Sequence, residues 1–159
     1  MNGSDGPMCG TEEIQRMIAN EFPSHPYEGI VMEEYHPPSV YESEGDDLNT
    51  FLKGKTWRDL IPDFVNTNED EYVLMNGIAL VAFLGAWLWR AAEDLGGNNQ
   101  VRSSLIFHLA SYGTGLWKGA FKSLNQSQRD VIHSLLKSTT KSADQKEKDL
   151  IDKVLRRNP

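Results

Sequence analysis

The side chains best suited to chemistry in this chain are four histidines, His25, His36, His108 and His133, and two pairs of adjacent acids, Glu33–Glu34 and Asp46–Asp47. A histidine beside a carboxylate moves protons near neutral pH, the acid orienting the imidazole and balancing its charge. One arrangement compatible with the sequence is therefore a small enzyme with a site assembled from His25, His36 and the carboxylates of the acidic loop. Neighbouring acids on a solvated loop keep ordinary acidity, however, and catalysis would require a pocket that raises one of them. His108 and His133 fall in helical patterns, on or beside an apolar face, where an imidazole at the core boundary serves packing first.

Metal and cofactor chemistry finds less support. The histidines lack metal-ligand spacing, and Cys9 is the single cysteine. The stretch "NTNEDE", residues 66–71, imitates the first three alternate ligands of a calcium loop. Glu71 then stands where such a loop needs Gly, and Gly77 where it needs its closing Glu. No Gly-rich phosphate loop, nucleophile elbow or H-E-x-x-H pattern occurs. No metal and no cofactor are expected. One thiol cannot staple a fold, so a reducing, cytoplasmic setting is the expectation. The first ten residues, "MNGSDGPMCG", lack the basic start and apolar run of a signal peptide and read as a flexible leader.

Charge is unevenly placed. Residues 1–71 hold 16 acids against 4 bases, a balance of −12, whereas residues 72–159 hold 7 acids against 12 bases, a balance of +5. Such a division suits two halves that fold against each other, and it also suits an acidic surface that meets a basic partner. Glu42, Glu44, Asp46 and Asp47 are the candidate binding residues. Nucleic acid is not an expected partner, because phosphate contacts need clustered Lys or Arg.

Several helices must position these groups. In "TEEIQRMIANEF", Thr11 is the expected N-cap, and Ile14, Met17, Ile18 and Phe22 form one apolar stripe. Residues 23–56, with four prolines, read as irregular. The aromatics Tyr27, Tyr35, Tyr41 and Phe51 are expected to pin that segment, and "GIVMEEY" within it suits a brief strand or an extended stretch. In "KTWRDLI", Thr56 caps a single turn that buries Trp57 and Leu60 before Pro62. The central helix is expected from about Asn76 to Asp94, with Gly96 and Gly97 as left-handed cap candidates. Val101, Leu105, His108, Leu109 and Tyr112 line one face of the next helix. Asn125 and Gln128 form a capping box ahead of Val131, Ile132, Leu135 and Leu136, and Ser142 with Gln145 suggests another. The last helix has a narrow apolar set, Leu150, Ile151, Val154 and Leu155, so it sits on the surface or reaches a partner.

The segment "GIALVAFLGAWLW", Gly77 to Trp89, is 13 residues without a charge. A spanning helix needs about 20 mostly apolar residues. Upstream extension to Tyr72 is interrupted by Asn76, and Arg90, Glu93 and Asp94 follow at once, with no flanking basic cluster to orient insertion. The amphipathic helices before and after it are of the kind that wrap a central core helix. No membrane association is expected. Within this helix side-chain size is patterned: Ala79, Ala82, Gly85 and Ala86 make a narrow stripe among bulky neighbours.

The sequence order of "GKTWRDL", "LMNGIALVAFLGAWLW" and "LNQSQRDVIHSLL" resembles an uncharacterised bacterial family of domains of unknown function. That family shows a Gly-x-x-Trp segment, an aromatic-rich central helix and a C-terminal Leu-x-x-x-Gln-Arg helix. The likeness covers about residues 11–138; the family's Leu-Pro-Ala step is Leu84-Gly85-Ala86 here. It implies a bacterial, soluble, α-helical protein and brings no activity or catalytic residue.

The expected architecture is mainly α, a single-domain fold of about five helices around a buried helix over 77–93. A leader occupies 1–10, the helical core 11–140 and a C-terminal surface helix 141–159. The expected function is that of a non-enzymatic, cytoplasmic interaction or regulatory protein, of the immunity type, whose acidic N-terminal surface meets a basic protein. A homodimer is compatible with the charge division.

Overall fold

The computed structural model describes residues 10–31, 48–68, 72, 75–110, 123–140 and 143–157. Among them the regular structure is entirely helical: α1 (Thr11–Glu21), a 3₁₀ turn (Trp57–Leu60), α2 (Phe64–Thr67), α3 (Gly77–Ala91), α4 (Gln100–Ala110), α5 (Gln126–Thr139) and α6 (Gln145–Arg157). Residues 48–52 form a further helical turn, so the segment expected to be irregular up to residue 56 regains structure earlier. No helix among the described residues is long and apolar enough to cross a membrane.

Helix α3, uncharged from Gly77 to Trp89, is the spine. Leu80, Phe83, Leu84, Trp87 and Leu88 are buried, and α1, the 3₁₀ turn, α2 and α4 pack against it. A helix apolar on nearly every side must be surrounded in this way. Its small-residue stripe has one specific use. A Cβ added to Gly85 would lie 2.9 Å from the Trp57 ring, so only glycine lets that indole press against the helix backbone. The indole also donates from Nε1 to the Phe22 carbonyl at 2.7 Å, tying the 3₁₀ turn to the end of α1.

Local signals explain most of the remaining boundaries. Asn76 caps α3, its Oδ1 accepting from the Ala79 N–H at 2.9 Å. At α5 the box forms as expected, with Gln128 N–H on Asn125 Oδ1 at 2.8 Å and Asn125 N–H on Gln128 Oε1 at 3.0 Å. Gln128 Nε2 then donates to the Glu21 carbonyl at 3.0 Å, joining α5 to α1. The narrow face of α6 is covered by this chain itself: Ile151 and Val154 are buried and the helix lies along α4.

Three caps differ from expectation. Gly10, with an extended backbone, precedes α1, and Thr11 is already helical. The Thr11 hydroxyl instead donates to the Ala92 carbonyl at 2.7 Å, a long-range tie between α1 and α3. After α3, which ends at Ala91 rather than near Asp94, the left-handed residue is Asp94 at φ 48°, while Gly96 and Gly97 keep ordinary dihedrals. Asn and Asp tolerate that conformation because their short side chains bond locally. Asp144 precedes α6, its Oδ1 accepting from Glu147 N–H at 2.8 Å, whereas Ser142 lies outside the described residues.

Candidate functional site

Two polar centres stand at opposite ends of α3. The C-terminal centre is built on Arg102, Asn99 and Arg90. Arg102 is 4% exposed, yet sits in the first turn of α4. Its Nη1 donates to the carbonyls of Ala91 and Glu93, both at 3.0 Å, and its Nη2 to those of Asp94 at 3.2 Å and Gly97 at 2.6 Å. Burial pulls the guanidinium below its ordinary pKa, and the carboxylates of Glu147 and Asp94 oppose that shift. Asn99 Nδ2 reaches the carbonyls of Arg90 at 2.7 Å and Glu93 at 2.9 Å, while its Oδ1 accepts from Arg102 N–H at 2.9 Å.

Arg90 completes the cluster. Its Nη2 holds the Ile61 carbonyl at 2.6 Å, and its Nη1 meets both oxygens of Glu93 at 3.1 and 3.0 Å. A depression of about 240 Å³ opens beside it, lined by Asn66, Arg90, Glu93, Asn99, Gln100 and Val101. The cations here are already engaged with helix-end carbonyls and Glu93. Such an arrangement secures the turn between α3 and α4, since the last carbonyls of a helix need donors from outside it.

The N-terminal centre is the root of the acidic segment. Tyr27 and its neighbours lie along residues 52–55, with Tyr27 N–H on the Lys55 carbonyl at 3.0 Å and Gly54 N–H on the Tyr27 carbonyl at 2.7 Å. Gly54 makes this possible by adopting φ 77°, in the left-handed region. The Tyr27 ring is edge-on to Phe83 at 5.4 Å, and burial raises its hydroxyl pKa. Val31 N–H donates to Asn49 Oδ1 at 2.6 Å, and the Val31 carbonyl accepts from Asn76 N–H at 2.7 Å. Asn76 Nδ2 also takes the Ile30 carbonyl at 2.6 Å. The chain thus leaves at Val31 and returns at Leu48 beside one clasp, at the N-terminus of α3. Between those posts the sequence carries six acids and no Lys or Arg.

The structure distributes the sequence-designated residues unequally. Glu42, Glu44, Asp46 and Asp47, together with Glu33, Glu34 and His36, lie outside the described residues. His25 is exposed after α1, and no described contact joins it to a carboxylate. The expected brief strand over Gly29–Tyr35 is described only as far as Val31, where the chain is irregular and pinned by side chains. Of the expected aromatic anchors, Tyr27 packs on α3 and Phe51 stacks on Phe64 at 5.2 Å, while Tyr35 and Tyr41 lie outside the described residues.

His108 is half-buried, edge-on to Tyr72 at 5.7 Å. His133 is half-buried on α5, and its Nε2 is buried without a hydrogen-bond partner. Burial lowers its pKa; Asp130 opposes this, whereas Lys137 and Arg129 add to it. A largely neutral imidazole at the α5 boundary follows. Among the described residues no group of three His, Cys, Asp or Glu side chains gathers as a metal ion would require.

Arg102 and Asn99 are the residues that sequence patterning misses. "DLGGNNQVR" announces a turn, but nothing in the residue types says that an arginine will fold back over its carbonyls. No family model, curated protein or solved structure matches the chain. The family resemblance therefore contributes no residue, ligand or activity to either centre.

Proposed function

We propose that this protein is a non-enzymatic, cytoplasmic interaction protein that uses the acidic segment containing Glu42, Glu44, Asp46 and Asp47 to bind a protein with a basic surface. The observation that supports this reading most directly is the clasp of Val31, Asn49 and Asn76. It fixes the departure and return of a stretch with six acids and no Lys or Arg at the N-terminal end of α3. A helical scaffold that holds both ends of a charged excursion gives it a defined address, as binding segments on stable folds commonly have. Concentrated like charge speeds encounter with an oppositely charged surface and selects against acidic competitors.

The test is affinity capture with the full chain from the cell that makes it. A basic protein retained at low salt and released as ionic strength shortens the reach of the charges is the expected result. Reversal of the four acids to Lys then abolishes retention. Capture that survives both salt and charge reversal, or the absence of any salt-sensitive protein, overturns the proposal.

A further inference from the structure

Asparagine followed by glycine is the pairing at which a peptide chain most readily attacks itself, because the glycine has no side chain to shield its nitrogen or restrict its backbone. The chain holds two such pairs, Asn2–Gly3 and Asn76–Gly77, and the second is the start of α3. Asn76 and Gly77 are both half-buried, so water reaches them. The Gly77 N–H opens the helix and has no acceptor within it. Nothing beyond water and base is needed for the reaction. The Gly77 nitrogen gives its proton to solvent base and attacks Asn76 Cγ. The new N–C bond closes a five-membered imide ring, and the Cγ–Nδ2 bond breaks to release ammonia. Water then opens the ring at either carbonyl, leaving aspartate or isoaspartate at position 76.

The folded chain blocks the first step. Ring closure requires the Gly77 nitrogen to swing into line with Asn76 Cβ, whereas Asn76 is held extended at φ −69° and ψ 168°, which sets that nitrogen to one side. Three bonds keep it there. The Asn76 N–H donates to the Val31 carbonyl at 2.7 Å, Oδ1 accepts from the Ala79 N–H at 2.9 Å, and Nδ2 donates to the Ile30 carbonyl at 2.6 Å. Both polar atoms on Cγ are therefore engaged, and turning Cγ toward Gly77 breaks the cap and the clasp together. The products do not restore both. An aspartate carboxylate still accepts from the Ala79 N–H and suits a helix N-terminus. It has no N–H for the Ile30 carbonyl, however, and sets its charge against that oxygen. An isoaspartate also inserts a methylene into the main chain where α3 begins.

We infer that Asn76–Gly77 is a site of spontaneous deamidation, held in check by the first turn of α3, and that its aspartate product unfastens Ile30 while leaving the helix capped. The site reacts when the end of the helix opens, an event that costs less than global unfolding. The change is one-way and independent of what the acidic segment binds.

The full chain, kept in mildly alkaline buffer with and without denaturing urea, tests this by peptide mapping in a mass spectrometer, which reads the replacement of NH₂ by OH at each asparagine. In urea Asn76 is expected to react at a rate near that of Asn2, the internal reference. In the folded chain it should react about tenfold more slowly, the order of protection that a helix cap and its companion bonds provide. Gly77→Ala, compared in urea, slows Asn76 and leaves Asn2 unchanged. Asn76→Asp installs the product directly. Hydrogen exchange of the Val31 amide should quicken in that variant, while the Ala79 amide stays protected by the carboxylate. No reaction at Asn76 in urea where Asn2 reacts overturns the site, and equal rates in the folded and unfolded chain overturn the gate. A Val31 amide that stays slow in Asn76→Asp, or an Ala79 amide that quickens as much, overturns the effect on the clasp.

Discussion

Around the C-terminal end of α3 lie six successive carbonyls, Trp89 to Asp94, and each has a donor from outside the regular helix ladder: Gln15, Asn99, Arg102 or Thr11. At its N-terminal end one asparagine does most of the work, capping Ala79 and holding Ile30, with exposed isoleucines on either side of it. The first end is closed to newcomers, because its cations are spent on the protein's own backbone. The second is held just firmly enough to fix where the acidic chain begins and ends. A single helix thus separates a closed, internally bonded end from one at which apolar side chains stand exposed.

That division is open to test by substitution, and the largest loss belongs to the closed end. Arg102→Met keeps the length and apolar stem of the side chain but removes a donor from the carbonyls of Ala91, Glu93, Asp94 and Gly97, of which Glu93 keeps Asn99 and Asp94 keeps the Gly97 N–H. Unfolding in urea is expected to show a loss of about 3 kcal/mol, since buried acceptors without donors are costly. A loss below about 1 kcal/mol would mean that water reaches those carbonyls and that the end is not closed.

Asn76→Ala addresses the other end. It removes the cap on Ala79 and the donor to Ile30, for an expected cost of about 1–2 kcal/mol. Hydrogen exchange of the Val31 amide should quicken in the same variant, because the Asn76 side chain steadies the neighbouring clasp. If the exchange is unchanged, Asn49 alone holds the root of the acidic segment. The smallest effect is expected from Ile78→Ser, within about 0.5 kcal/mol of the parent, as for most exposed positions without special contacts. A larger drop in melting temperature would show that Ile78 belongs to the core and not to a surface kept available.

Much of the scaffold is legible in the sequence, and the reason is local. The size pattern of Gly77–Trp89, the Asn125–Gln128 box and the pairing of Trp57 with Leu60 all act within a turn or two of chain. Their outcome depends on neighbours that can be read directly. Thr11 misled because a threonine ahead of a helix signals a cap, yet here its hydroxyl finds Ala92, 81 positions away in sequence. Arg102 was invisible for a related reason. Its partners are backbone carbonyls, which every residue has, so no residue type marks them out.

The clasp between Val31 and Asn49 also bears on how this chain can vary. Closing a longer excursion between fixed posts costs only logarithmically more entropy as residues are added. With both posts fastened to α3, lengthening or shortening the chain between them changes that cost by little. Descendants of this molecule can therefore differ in length between Val31 and Leu48 without rebuilding the frame to which the two ends are tied.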